Sequence, residues 1–201
     1  KVIAGEWKIF DQTPYLGTDV YGKTLGLIGL GLIGTAVAKR ARGFDMDILY
    51  HSRTRKPDVE DVYGLKWVPD LDGLLSASDY VSVHVPLGPE TQGFIGSKEI
   101  QKMNKNAFLI NTSRGGTVDP DALREALTAG EIAGAALDVT LPEPISPDDP
   151  LVHMENVIIT PHIASASAAT LRRMGLMAAD NVISHLKGEP MPACLNPEAA
   201  G

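Results

Sequence analysis

The stretch Thr24-Leu25-Gly26-Leu27-Ile28-Gly29-Leu30-Gly31-Leu32-Ile33-Gly34 decides the fold of this chain of 201 residues. An apolar run leads into the pattern G-x-G-x-x-G, and residues 35–42 predict a helix. In this strand–turn–helix context Gly29 permits a tight turn, Gly31 lets the backbone approach a pyrophosphate, and Gly34 lets the helix pack close to the strand. The start of the helix offers N–H groups to the phosphates. The stretch therefore predicts dinucleotide binding, the alternative being a simple glycine turn.

The end of the next predicted strand, 47–52, bears on which dinucleotide is bound. NAD sites of this type usually have Asp or Glu about 20 residues after the glycines, where it accepts a hydrogen bond from the ribose 2′-hydroxyl. Here Ser52 stands at that position, followed by Arg53, Thr54 and Arg55. A hydroxyl and two guanidiniums would hold a 2′-phosphate, whereas a carboxylate would repel it. We therefore expect NADP to be preferred over NAD, the alternative being a solvated basic loop.

Apolar strand-like runs alternate with helical segments along the chain. The predicted strands are 24–30, 47–52, 65–68, 80–85, 107–112, 134–139 and 157–160. The predicted helices between them are 35–42, 71–77, 98–103 and 120–129. Near-continuous apolar strands are typical of sheets covered by helices on both faces. The pattern predicts an α/β fold with a doubly wound parallel sheet.

The organisation predicted is a single dinucleotide-binding domain over 1–201, with a lead-in segment at 1–22 and a C-terminal helix at 166–187. The helix is amphipathic, and its apolar stripe is expected to face the core. The stripe consists of Leu171, Met174, Met177, Ala178, Val182 and Ile183.

Composition excludes several classes of function. The formal net charge of −7 argues against a general nucleic-acid or anionic-membrane surface. The one cysteine, Cys194, rules out an intrachain disulfide and fits a reducing compartment. The chain has neither an apolar run long enough for a membrane helix nor a signal-peptide pattern at its start. We expect a cytoplasmic protein without nucleic-acid or membrane partners, and with no metal, because no His, Cys or Asp grouping has metal-ligand spacing.

Three side chains suited to carbonyl chemistry follow predicted strands. Arg114 could bind the carboxylate and carbonyl oxygen of a 2-oxo acid, and His162 could protonate the developing alkoxide. Glu143 next to that histidine would favour the imidazolium and orient it. Because ligands bind beyond the carboxyl ends of parallel strands, we expect the three to meet beside the cofactor. The alternatives are a surface or capping arginine, a plain loop glutamate and a buried hydrogen-bonding histidine.

Other titratable side chains are given lesser roles. Asp138, at a strand end, is as well suited to holding the backbone or the nicotinamide amide as to moving a proton. The remaining histidines have no partner pattern and are interpreted as structural, with one of them inside the strand 80–85. They are His51, His84, His153 and His185.

Five motifs together resemble the cofactor-binding part of the D-isomer-specific 2-hydroxyacid dehydrogenase family, nearest to its glyoxylate/hydroxypyruvate reductase branch. In chain order they are Gly29-Leu30-Gly31-Leu32-Ile33-Gly34, His84-Val85-Pro86-Leu87, Asn111-Thr112-Ser113-Arg114-Gly115, Leu137-Asp138-Val139 with Glu143-Pro144, and Pro161-His162-Ile163-Ala164-Ser165. The resemblance implies a Rossmann-type NAD(P)-binding domain in an oxidoreductase. The expected reaction is NADPH-dependent reduction of a small 2-oxo acid, such as glyoxylate or hydroxypyruvate, to the D-2-hydroxy acid, or the reverse.

The resemblance also assigns residues. Arg114, Glu143 and His162 match the family's catalytic arginine, glutamate and histidine. The implied cofactor contacts are the glycine turn with Leu32 and Ile33, the loop of Ser52, Arg53, Thr54 and Arg55, then Val85, Pro86, Thr112, Ser113, Asp138, Ile163 and Ala164. By the same analogy the protein is expected to form a homodimer.

One departure from the family pattern affects the expected activity. Family members carry a substrate-binding domain ahead of this one, and its absence from this chain predicts an enzyme fragment that binds cofactor but turns over poorly. Two other functions remain open. One is a non-catalytic module that senses NAD(P)(H), and the other is a dimerisation scaffold, because fold does not determine function.

Overall fold

The structure is a computed structural model that describes residues 2–13 and 16–197. Parts of the predicted lead-in (Lys1, Pro14, Tyr15) and residues 198–201 lie outside the described residues. The chain divides into two compact units, Lys1–Ile159 and Thr160–Gly201. The single domain predicted over 1–201 stays a prediction.

The first unit contains a parallel sheet. Its strands are β1 (Thr24–Ile28), β2 (Asp47–His51), β3 (Leu65–Trp67), β4 (Tyr80–Val83), β5 (Phe108–Asn111), β6 (Gly134–Leu137) and β7 (Val157–Ile159). Their order in the sheet is β3-β2-β1-β4-β5-β6-β7, and every pair is parallel. From β1 the strands are added first towards one edge of the sheet (β2, β3) and then, from β4 onward, towards the other edge. In folds of this kind ligands bind at the switch point between β1 and β4. The predicted doubly wound α/β fold is confirmed.

Helices connect the strands and cover both faces of the sheet. They are α1 (Leu32–Ala41), α2 (Pro57–Tyr63), α3 (Leu71–Ala77), α4 (Ser97–Ile100), α5 (Pro120–Ala129) and α6 (Pro150–His153). The sequence missed α2 and α6, which are short. Both begin with proline at the first helical position, a start signal that was available in the sequence.

The core consists of two apolar clusters, as expected for a sheet buried on both faces. Successive side chains of β1 lie on opposite faces of the sheet. Leu25 and Leu27 belong to one cluster with Tyr50, while Ile28 belongs to the other with Leu74. This period of two follows from strand geometry.

The second unit contains α7 (Ala168–Lys187), which begins two residues later than predicted. Ser167 caps it by accepting a hydrogen bond from the Thr170 N–H, and Gly188 ends it in the left-handed conformation. None of its described side chains is buried, and Leu171 and Val182 are 55% and 60% exposed. That its apolar stripe faces the core stays a prediction. Amphipathic spacing predicts a helix but does not specify what covers its apolar face. Among the described residues, no helix is both long and apolar enough to span a membrane.

Candidate cofactor site

The glycine turn after β1 is held between the ends of its two neighbouring strands. The Gly29 N–H donates to the His51 carbonyl at 2.9 Å, and the His84 N–H donates to the Ile28 carbonyl at 2.8 Å. Gly29 has φ +96°, which favours glycine, and a Cβ there would lie 2.9 Å from the His84 carbonyl oxygen. A Cβ on Gly34 would collide with the Gly29 carbonyl oxygen. The turn and the close packing of α1 therefore both depend on glycine.

The start of α1 is shaped for an anion. Gly31 is its N-cap and supplies no side-chain cap, and the first turn holds no acidic residue. A Cβ added to Gly31 would meet nothing within 4 Å, so the space beside the turn is open. Leu32 and Ile33 are 94% and 64% exposed, which is unusual for large apolar side chains. Open backbone N–H groups at a helix start fit a pyrophosphate.

A first cavity of about 550 Å³ lies between the loops that follow β2 and β4. Its lining includes His51, Ser52 and Arg53 on one side and the segment from Val85 to Thr91 on the other. Its volume is in the range of small-molecule and cofactor sites. The cavity brings together the predicted cofactor residues Ser52, Arg53, Val85 and Pro86.

The loop after β2 is anchored by a hydrogen-bond network around the buried Tyr50. The Tyr50 hydroxyl donates to Glu60 Oε1 at 2.6 Å and accepts from the Lys56 N–H at 2.7 Å. Arg55 donates to the same carboxylate from Nε (3.0 Å) and Nη2 (2.8 Å), and its guanidinium lies 5.7 Å from the Trp67 ring centroid. These bonds from Arg55 and Tyr50 lower the pKa of Glu60, and burial raises the pKa of Tyr50. Arg55 is thus committed to Glu60.

Ser52 and Arg53 are placed differently from Arg55. The Ser52 hydroxyl donates to the Thr54 carbonyl at 2.7 Å and so shapes the loop. The Arg53 side chain is 91% exposed at the cavity, and its Nη1 lies 3.7 Å from Glu90 Oε2. Arg53 is therefore better placed than Arg55 to meet a ligand phosphate, and sequence reasoning had not singled out Glu90 or Glu60.

A second cavity, of about 540 Å³, lies between the loops that follow β4 and β5. The residues lining it are Ile33, His84, Val85, Pro86, Leu87, Thr112, Ser113 and Arg114. It thus joins the start of α1 to the predicted catalytic arginine and four predicted cofactor residues. These positions are consistent with the predicted roles, which stay predictions.

Arg114 is held at this cavity through its backbone. Its carbonyl accepts from Asn111 Nδ2 at 3.0 Å and from the Thr117 hydroxyl at 2.8 Å, while Asn111 Oδ1 accepts from the Ser113 N–H and hydroxyl. Asn111 and Thr117 are both buried. The guanidinium donates from Nη1 to the Ser113 carbonyl at 2.6 Å and is exposed. A buried, hydrogen-bonded base thus presents an exposed cation at the cavity.

His84 also lines this cavity, although the sequence placed it inside a strand. That prediction is wrong, because β4 ends at Val83. His84 Nε2 lies 2.9 Å from the Ser82 hydroxyl oxygen. Burial lowers the pKa of His84 to about 4, so its ring is neutral at pH 7. The motif His84-Val85-Pro86-Leu87 was the available signal for this position.

Glu143 and Asp138 also belong to the first unit. Glu143 is exposed in the loop after β6, where the Thr140 N–H donates to its Oε2 at 3.4 Å. Asp138 is buried, and its N–H donates to the Asn111 carbonyl at 2.9 Å. The loop of Glu143 is therefore linked through β5 and β6 to the base that holds Arg114.

His162, Ile163 and Ala164 belong to the second unit. His162 has φ +54°, a left-handed conformation uncommon for residues other than glycine, and its N–H donates to the Thr160 carbonyl at 3.0 Å. Ile163 accepts from the Ala166 N–H at 2.9 Å. The tight turn makes the His162 backbone well defined within this unit. Its meeting with Glu143 and Arg114 stays a prediction.

Comparison with known proteins agrees with this geometry. The family model described as "D-isomer specific 2-hydroxyacid dehydrogenase, NAD binding domain" matches residues 1–164. The chain belongs to this family.

Two curated relatives and one solved structure illustrate the membership. The chain is 51% identical over 195 residues to a glyoxylate reductase from Korarchaeum cryptofilum, covering 96% of this chain and 58% of the relative. It is 45% identical over 199 residues to a glyoxylate/hydroxypyruvate reductase B from Pectobacterium carotovorum, covering 98% and 62%. The TT0316 protein from Thermus thermophilus superposes with a TM-score of 0.90 at 43% identity, covering 96% and 60%. The chain thus spans about three fifths of the length of these proteins.

Proposed function

We propose that this chain is the cofactor-binding part of an NADPH-dependent reductase. It would convert a small 2-oxo acid of the glyoxylate or hydroxypyruvate type to the D-2-hydroxy acid, or run the reverse reaction. One observation carries the proposal: the second cavity joins the uncapped start of α1 to Arg114. The names of the relatives, reductases of glyoxylate and hydroxypyruvate, support this substrate class.

The residues present fit a dinucleotide. In this proposal the start of α1 with Gly31 holds the pyrophosphate, and Ser52 with Arg53 holds the adenosine ribose and its 2′-phosphate. Val85, Pro86, Thr112, Ser113 and Asp138 would line the nicotinamide end, with Ile163 and Ala164 of the second unit. When bound, the nicotinamide supplies or accepts the hydride.

The substrate and its proton would be handled by three residues of the chain. The planar guanidinium of Arg114 is suited to bind the substrate carboxylate and polarise the keto oxygen. The imidazole of His162 would give a proton to that oxygen during reduction and take it back in the reverse direction. Glu143 would hold the imidazolium in the orientation this transfer needs.

Cofactor binding tests the first half of the proposal. NADPH and NADH are titrated against the protein at low salt by fluorescence. Loss of the 2′-phosphate contacts costs about 1.5–3 kcal/mol, so NADPH is expected to bind roughly 10- to 150-fold more tightly. Arg53→Ala should remove this difference. Equal affinities for NADPH and NADH in the unchanged protein would show that the Ser52–Arg55 loop is only a basic surface and does not recognise the 2′-phosphate.

Turnover tests the second half and separates the enzyme from a sensing module. With glyoxylate or hydroxypyruvate, His162→Gln and Glu143→Gln are expected to lower kcat while NADPH affinity stays within about twofold of wild type. A protein that binds NADPH tightly but lacks 2-oxo acid reductase activity, when it carries all the segments found in its relatives, would instead be a non-catalytic NAD(P)(H)-sensing module.

We also propose that the protein is a homodimer and cytoplasmic. Trp7 and Phe10 of the first unit are 60% and 82% exposed, and exposed apolar side chains near each other are typical of a surface covered by a partner. The single cysteine supports a reducing compartment. Light scattering of the purified protein and fractionation of the source cells test these two statements.

A further inference from the structure

The ion pair between Arg53 and Glu90 spans the first cavity. Arg53 follows β2, and Glu90 stands in the loop after β4, on the far side of the glycine turn. Arg53 Nη1 and Glu90 Oε2 are 3.7 Å apart, and both side chains line the cavity that contains Ser52. A carboxylate therefore faces the position where the proposed cofactor site would receive a 2′-phosphate.

The two loops that carry this pair are shaped by their own hydrogen bonds. On the β4 side, the Thr91 hydroxyl donates to the Pro86 carbonyl at 2.6 Å and accepts from the Gly88 N–H at 2.8 Å. On the β2 side, the Lys56 N–H donates to the buried Tyr50 hydroxyl. The backbones on both sides are thus fixed, and adjustment to a ligand falls to the long side chains of Arg53 and Glu90.

The pair itself is weakly held. The two side chains are 91% and 84% exposed, and ion pairs this exposed contribute little to stability. A phosphate carrying close to two negative charges would displace Glu90 from Arg53, but the carboxylate would remain nearby and repel it. A 2′-hydroxyl carries no charge and would meet neither effect.

We propose that Glu90 is a specificity-determining residue that weakens the binding of 2′-phosphorylated cofactors by competing with their phosphate for Arg53. This inference rests on the proposed function, because it needs the adenosine ribose to occupy the first cavity. NAD sites usually have a carboxylate at the end of β2, where this chain has Ser52. In this inference Glu90, in the loop after β4, supplies a carboxylate instead.

Calorimetric titration with NADPH and NADH, and with adenosine 2′,5′-bisphosphate and adenosine 5′-monophosphate, tests the inference without turnover. Glu90→Gln is expected to tighten NADPH and the bisphosphate about three- to tenfold, while NADH and the monophosphate change less than about twofold. Glu125→Gln makes the same change of charge on the exposed face of α5, outside the cavity, and should alter none of the four affinities.

Two further measurements identify the mechanism. The gain from Glu90→Gln should shrink in 1 M salt, where the screening length falls to about 3 Å. It should also shrink in an Arg53→Ala background, where the competition for Arg53 no longer exists. If Glu90 had a merely structural role, the gain in affinity would be the same in 1 M salt and in the Arg53→Ala background.

The outcomes distinguish this inference from the proposed function. If the unchanged protein prefers NADPH and Arg53→Ala removes that preference, but Glu90→Gln leaves it unaltered, the inference on Glu90 is overturned and the proposed function stands. An equal gain for NADH also overturns it. If the unchanged protein binds neither cofactor, both fail. If NADPH is preferred over NADH only in the Glu90→Gln variant, the inference is supported, and the proposed NADPH preference of the unchanged protein is wrong.

Discussion

Arg55 is bonded to both carboxylate oxygens of Glu60, at 3.0 Å from Nε to Oε1 and 2.8 Å from Nη2 to Oε2. The Glu60 side chain is only 10% exposed, and the buried Tyr50 hydroxyl donates to it as well. A basic residue that the sequence offered as a phosphate ligand is thus joined to an acidic residue of α2. This network holds the loop on which Ser52 and Arg53 stand.

Glu60→Gln is expected to lower the stability of the first unit in a pH-dependent way. Arg55 and Tyr50 lower the pKa of Glu60 in the folded state, so its contribution is complete above pH 4.5 and is lost as pH falls through the folded value. The difference in Tm between wild type and the variant should therefore be largest near neutral pH and shrink below about pH 4.5. Thermal unfolding followed by circular dichroism measures it. Equal Tm values at pH 7 would contradict the network's role.

Gly31→Ala and Gly34→Ala should separate binding from folding. Space is open beside Gly31, so alanine there should lower the free energy of unfolding by no more than about 1 kcal/mol, the cost of alanine at an N-cap, and weaken NADPH about tenfold or more by obstructing the pyrophosphate. Alanine at Gly34 collides with the Gly29 carbonyl oxygen and should cost about 1–3 kcal/mol of stability. Urea unfolding and cofactor titration of both variants check this. The opposite assignment of effects would show that the pyrophosphate does not lie against Gly31.

His84 should make stability depend on pH between about 4 and 6.5. Burial lowers its folded pKa to about 4 from 6.5, so the unfolded chain takes up more protons in this window and stability falls as pH is lowered through it. The loss of unfolding free energy across this window is up to about 3 kcal/mol, and His84→Gln should abolish this pH dependence. Urea unfolding at several pH values measures the slope. His153→Gln, outside both cavities, serves as the control and should keep the slope.

Arg114→Ala should lower kcat/KM for a 2-oxo acid about 10- to 150-fold, as expected for loss of a charge-assisted bond, while NADPH affinity changes less than about twofold. Arg114→Lys keeps the charge but loses the planar fork, so it should recover only part of the activity. Steady-state kinetics in the reductive direction measure both. Arg40→Ala, at the exposed end of α1, is the matched control. A fall in NADPH affinity equal to the fall in kcat/KM would move Arg114 from substrate to cofactor binding.

The strands were the most predictable part of the fold. All seven were found from apolar runs, because a sheet covered on both faces needs side chains that are apolar in succession. Their ends were predicted too far along the chain. The segment 80–85 shows why: β4 stops at Val83, the His84 N–H makes one more bond to the Ile28 carbonyl of β1, and His84 and Val85 line the second cavity. Apolarity alone does not mark where the hydrogen-bonded ladder ends.

The candidate site was predictable where its residues are local. Gly29, Gly31 and Gly34 act within one turn, so their spacing carries their roles. Arg114 was found because it lies in the turn that follows β5. Tyr50 and Glu60 were missed because a tyrosine in a strand and a glutamate in a short helix carry no signal that they share a hydrogen bond.

The sequence by itself determined the parallel sheet and the glycine turn, because these depend on short-range patterns of side-chain size and polarity. The resemblance to the family came from the five motifs, and the family model confirmed it. Only the tertiary structure decided the partners of the two arginines after β2. Arg55 is joined to Glu60 of α2, and Arg53 meets Glu90 because β2 and β4 flank β1 in the sheet. Residues 37 positions apart (Arg53 to Glu90, 90 − 53) come within reach through the order of the strands, which no local pattern encodes.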